Sequence, residues 1–109
     1  MEDIKLIIKI AERNAQDAAN KYFQEVLGGK DKGMCGFAWV DVRGVRSNSK
    51  LGKQLVESGF YRSYTKTLQL WNPCKGMCQN IDTLYAGALA YAQVLKRAGI
   101  DAVPGSRLD

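Results

Sequence analysis

The sequence predicts a small α+β domain in which a short two- or three-stranded sheet packs against long N- and C-terminal helices, in the order α-β-α-β-α. Three observations carry that expectation. Apolar residues recur at three- and four-residue steps near both ends of the chain. They alternate with polar or aromatic residues in two shorter stretches between, and glycine or proline separates most stretches from the next. With 109 residues and 46% hydrophobic side chains, the chain can bury one core but not two, so residues 1–109 read as a single compact domain.

The first helix is expected from Asp3 to Leu27. Ile4, Ile7, Ala11, Ala15, Ala18, Tyr22 and Val26 form its apolar stripe, widened by Ile8, Ala19 and Phe23. Asp3 can cap it and Gly28-Gly29 can stop it. The polar face mixes Lys9 and Arg13 with Glu12 and Asp17, which works against an anionic membrane surface.

Residues 36–42 read as a strand, because Phe37, Trp39 and Asp41 alternate with Ala38, Val40 and Val42. Ser47 or Ser49 can cap a short helix through Leu51, Leu55 and Val56, closed by Gly59 with Phe60 as its apolar partner. The second strand is expected over Tyr64–Trp71. Tyr64, Lys66, Leu68 and Leu70 fall on one face, and Thr65, Thr67, Gln69 and Trp71 on the other, before Asn72-Pro73 ends it. The stretch 44–63 is long enough for a parallel crossover, with an antiparallel pair left open.

Asn80 caps the final helix, with Ile81, Leu84, Tyr85, Ala88, Leu89, Ala92 and Leu95 as its stripe and Gly99 as its stop. Gly87, Ala88, Ala90 and Ala92 allow close approach to the first helix; a homodimer seam is the alternative use of that face. Residues 101–109 contain Pro104-Gly105 and read as a short strand or turn in a partly irregular tail.

Charge is unevenly distributed. Between residues 43 and 75 lie seven basic side chains against the single acid Glu57, an excess of six, whereas the rest of the chain holds nine basic and ten acidic groups. An anionic partner is therefore expected at Arg43, Arg46, Lys50, Lys53, Arg62 and Lys66. If Ala38, Val40, Val42, Leu68 and Leu70 face the helices, the opposite face presents Phe37, Trp39 and Trp71, on which unpaired bases would stack. Tyr61 and Tyr64 extend the aromatic set. Asp41 on the same face would repel phosphate.

The function expected from these residues is non-enzymatic nucleic-acid binding, to RNA or DNA, through a basic central surface with aromatic stacking. The leading alternative is an inhibitor or adaptor that covers an acidic or nucleic-acid-handling host protein, since Arg, Tyr and Trp also anchor protein interfaces. A small enzyme acting on a phosphorylated substrate is the second alternative. The chain has no histidine, no Walker pattern and no paired acids at a catalytic spacing.

Cys35, Cys74 and Cys78 supply at most three soft ligands with no histidine to complete a zinc set, so no metal or cofactor is expected. Their odd number fits a reducing compartment. No run approaches the ~18 apolar residues of a spanning helix, and Met1-Glu2-Asp3 does not open a secretory leader. The expected location is the cytoplasm.

Overall fold

The structure, a computed structural model, describes residues 3–30, 33–63, 66–73 and 80–108. Helix α1 runs Ile4–Glu25 and opens where the Asp3 carboxylate accepts the Lys5 N–H at 3.0 Å. Gly28 and Gly29 then take the left-handed conformation that closes helix ends. Ile4, Ile8, Ala11, Ala15 and Ala19 are its buried positions. Val26 lies one residue past the helix and is 58% exposed, so the expected stripe ends before it and Leu27 turns inward instead.

Strand β1, Gly36–Val42, buries alternate residues from Gly36 and turns Phe37, Trp39 and Asp41 the other way. Helix α2, Lys50–Glu57, starts at Ser49, whose Oγ accepts the Gly52 N–H at 3.0 Å. It ends before Gly59, and Phe60 drops into the core. Strands β2, Tyr61–Arg62, and β3, Leu68–Trp71, form a hairpin. Helix α3, Ile81–Arg97, begins where Asn80 Oδ1 accepts the Thr83 N–H at 2.9 Å. Asp82 in its first turn and Lys96 and Arg97 in its last oppose the ends of the helix dipole. Strand β4, Ala102–Leu108, closes the chain.

The α+β class and the α-β-α-β-α order hold, but the sheet has four strands, in the order β2-β3-β1-β4. All three pairings are antiparallel. The stretch 44–63 does not join adjacent parallel strands, because the hairpin folds β3 back between β2 and β1. From β1 onward the connectivity is β-α-β-β-α-β, a split β-α-β arrangement with α1 added in front.

Two further expectations change. The strand reading of the tail holds, but the irregular end expected after a short strand is not seen over 102–108, where β4 pairs with β1 along its whole length. Pro104 is tolerated because β4 is an edge strand. Lys66 does not lie on a strand; it sits in the β2–β3 turn with φ 67°.

One apolar cluster fills the space between the sheet and the helices. Ala38, Val40, Val42, Leu68 and Ala102 from the sheet meet Ile4, Ile8, Ala11, Ala15 and Ala19 of α1, Leu55 of α2, and Leu84, Ala88, Tyr91, Ala92 and Leu95 of α3. The α3 stripe is rotated from its expected position. Leu89 is 38% exposed, while Tyr91 and Val94 are buried. Gly87, Ala88 and Ala92 are buried too, so the small-residue face is used within the chain, where α3 packs on α1, as its small residues led one to expect, and on the sheet.

The buried Tyr91 hydroxyl has no hydrogen-bond partner among the described residues, and its ring packs on Phe60. Burial first, and the nearby Glu12 carboxylate second, push its pKa well above the phenol range. A desolvated, unpaired hydroxyl opposes folding, so Tyr91→Phe is expected to raise stability by about 1 kcal/mol. Urea unfolding with an unchanged m-value checks this; a loss of stability would show that the hydroxyl is hydrogen-bonded in solution. The raised pKa also keeps stability full below the unfolded phenol's value of about 10 and erodes it as pH rises above that, and Tyr91→Phe removes this alkaline contribution.

Candidate functional site

The helices gather on one side of the sheet, and no described element packs over the other. That open face is built by alternation along each strand. Phe37, Trp39 and Asp41 come from β1, Gln69 and Trp71 from β3, and Tyr61 from β2. Val103, Gly105 and Arg107 come from β4. Trp39 and Trp71 are direct cross-strand partners on the two central strands.

The aromatic groups form one cluster. The Trp39 and Trp71 rings stack with centroids 5.0 Å apart, and Phe37 meets Trp71 at 5.7 Å in a tilted arrangement. The Arg107 guanidinium lies 5.7 Å from the Phe37 centroid and 5.7 Å from that of Trp71. All three rings are half-buried and retain accessible surface.

Each indole N–H is satisfied within the face. Trp39 Nε1 donates to Asp41 Oδ2 at 3.1 Å, and Trp71 Nε1 donates to Gln69 Oε1 at 3.0 Å. In each case the acceptor lies two residues away on the same strand, where alternation places it on the same face. The Thr67 hydroxyl donates to Asp41 Oδ1 at 3.0 Å, so both oxygens of this carboxylate accept a bond. The rings are held by their polar edges, and what they offer a ligand is π surface.

Gly105 makes room for this cluster. A Cβ there would come within 2.5 Å of Trp39 ring atoms, so the ring leans across β4 over a residue that has no side chain. Gly105 and Arg107 were not expected in the site. Pro104-Gly105 masks the alternation of Val103, Gly105 and Arg107, and that period of two is the signal that could have revealed them.

The expected cations divide into three groups. Arg46, Arg62 and Lys66 converge on a pocket of about 230 Å³ at the end of the sheet where the β1–α2 loop meets the β2–β3 turn. Val45, Ser47 and Leu68 complete most of its wall, and among the described residues no carboxylate lines it. Arg43 points elsewhere: its guanidinium binds Asp101 with two hydrogen bonds of 2.9 and 3.1 Å. That contact raises the arginine pKa and holds the Asp101 carboxyl below its usual range. Lys50 and Lys53 are exposed on α2 and do not line the pocket.

The pocket wall is fixed by backbone contacts. The Arg46 carbonyl accepts from the Ser49 hydroxyl at 2.6 Å and from the Ser49 N–H at 3.1 Å. Gly52 lets α2 lie against this segment, since a Cβ on it would collide with the Arg46 carbonyl. Across the pocket, the Lys66 N–H donates to the Ser63 carbonyl and the Ser63 N–H to the Thr67 carbonyl, each at 2.9 Å.

Tyr61 is exposed on β2, beside Gln69 of β3. Tyr64, Cys74 and Cys78 lie outside the described residues. Cys35 is an exposed free thiol, and no group of three potential metal ligands occurs among the described residues. No described helix is long and apolar enough to cross a membrane. No family model matches the chain, and comparisons with curated proteins and with solved structures return no match.

The packing of Trp39 on Gly105 is open to direct test. Gly105→Ala is expected to push the Trp39 ring off β4 and weaken the coupling between the two stacked indoles. The indole exciton signal in circular dichroism should fall and the emission should shift to the red. An unchanged spectrum would mean that Trp39 does not lie over Gly105.

Proposed function

We propose that this protein binds single-stranded nucleic acid, RNA or DNA, on the open face of its sheet, without catalysing a reaction. The observation that carries this reading is the Phe37–Trp39–Trp71 cluster on the central strands, with Arg107 beside it and both indole N–H groups already satisfied. Stacking on aromatic rings is worth ~1–3 kcal/mol per base and needs no particular sequence. A four-stranded sheet with aromatics on its inner strands is one of the surfaces on which splayed bases are held.

Asp41 shapes the mode of binding. Its charge sits one residue from the end of β1, on the pocket side of the rings, and disfavours phosphate on the face there, so bases would occupy the rings while the backbone follows the rim. Arg46, Arg62 and Lys66 stand at one end of that rim and Arg107 at the other. Duplex would fit poorly, because paired bases cannot present their planes to the rings. Cytoplasmic RNA or exposed single-stranded DNA are the targets this favours.

The chain's two tryptophans both lie in the cluster, so intrinsic emission reports on this face alone. Titration with a short oligothymidine or oligouridine strand is expected to quench that emission, and matched duplex is expected to do so far more weakly. Trp71→Ala should weaken binding by about 10- to 100-fold, read by anisotropy of a labelled strand, in line with loss of one stacking platform. Binding through three phosphate contacts should give a log–log salt slope near −2. Absent quenching at low salt, together with one host protein retained stoichiometrically from nuclease-treated extract, would replace this reading with that of a protein inhibitor or adaptor.

A further inference from the structure

We propose that the pocket between the β1–α2 loop and the β2–β3 turn binds a dianionic phosphomonoester, and that its source is the terminal phosphate of a strand lying on the open face. The assignment to a strand end rests on the nucleic-acid reading above; the pocket's chemistry does not. Three cations, Arg46, Arg62 and Lys66, line one cavity from two chain segments, the β1–α2 loop and the β2–β3 hairpin. Among the described residues no acid lines that cavity, and the one salt bridge, Arg43–Asp101, lies outside it. Ser47 adds a hydroxyl to the wall, while Val45 and Leu68 supply apolar surface that limits water.

The charge balance selects the ligand. An internal phosphodiester brings one negative charge and must leave the site in two directions along its chain. A phosphomonoester brings a charge of about −1.5 to −2 with three terminal oxygens, which suits a half-open pocket lined by two arginines and a lysine. The volume of about 230 Å³ admits a phosphate with part of its sugar but not a base stacked inside as well. Leu68, which lines the pocket, and Trp71 of the ring cluster are both on β3, roughly 10 Å apart at the strand rise of ~3.3 Å per residue.

Lys66 supports the assignment independently. It adopts φ 67°, a conformation that glycine and asparagine tolerate and lysine rarely takes. A turn optimised for folding alone would not put lysine there, and an observed outlier of this kind points to a functional demand. Removing it should therefore affect folding and binding in opposite directions. Lys66→Asn keeps a residue suited to the turn and deletes the charge.

Two measurements test the proposal. Methyl phosphate, a dianion, is expected to shift the amide resonances of Arg46, Ser47 and Lys66 saturably, with dimethyl phosphate, a monoanion, at least tenfold weaker. A strand carrying a terminal phosphate is expected to bind at least tenfold tighter than the same strand ending in hydroxyl groups. In Lys66→Asn and Arg62→Gln that advantage should fall below twofold, while hydroxyl-ended strands still quench tryptophan emission and the melting temperature of Lys66→Asn is unchanged or higher.

Each departure has its own meaning. Equal response to the two methyl esters, or none at these residues, overturns the phosphomonoester pocket. A response to methyl phosphate without any gain for phosphorylated strands overturns the strand-end assignment and gives the pocket to a small phosphorylated metabolite. Failure of hydroxyl-ended strands to quench tryptophan, with the methyl phosphate response intact, sinks the nucleic-acid reading and leaves the pocket standing.

Discussion

The packing of α1 on α3 is the contact on which the rest of the structure depends. Both helices present small residues, Ala11, Ala15 and Ala19 from one and Gly87, Ala88 and Ala92 from the other, and all six are buried. Helices that approach so closely bury their stripes against each other and the near face of the sheet. Neither is left to cover the far face. A sheet normally buries one face in a core and can leave the other to water if that face carries suitable side chains.

Here the face that no described element covers carries three large aromatic rings, which a solvent-facing sheet does not need. The rings protect one another by stacking and are fixed by Asp41 and Gln69 at their N–H edges. Such an arrangement is rigid before any ligand arrives, so a bound base would order little of the protein. Pre-organisation of this kind reduces the entropic cost of association. The same arrangement would serve a protein partner, so discrimination against duplex and dependence on salt would separate the two readings where the presence of the rings does not.

Much of this was legible in the sequence wherever a local pattern had a local cause. The alternation over 36–42 assigned Phe37, Trp39 and Asp41 to one face because side chains of a strand alternate regardless of the partner strand. The caps at Asp3, Ser49 and Asn80 are likewise local, each side chain reaching an amide two or three residues on. What could not be read was long-range. Arg43 meets Asp101 across 58 residues, and nothing near either residue signals the pairing. The tail reads as a short strand or turn before an irregular end because of Pro104-Gly105, yet the strand runs on to Leu108, since an edge position beside β1 tolerates proline and the Trp39 ring requires glycine. Lys66 fits the period of a strand by coincidence, since the hairpin turn falls at that position.

The cations illustrate a different limit. A local excess of charge identifies a segment of chain, whereas a site is a place in space, and the fold sorts one from the other. Of six basic residues expected to act together, Arg43 is tied to an acid, Lys50 and Lys53 stand apart on α2, and three converge. Those three lie at the end of the aromatic face that also holds Asp41, with Arg107 at the opposite end. A strand held by its bases on the rings and by a terminal phosphate at one end could lie in only one direction. On that reading the asymmetry of charge along the face, rather than its total, would give binding a polarity that stacking and diffuse electrostatic attraction alone do not supply.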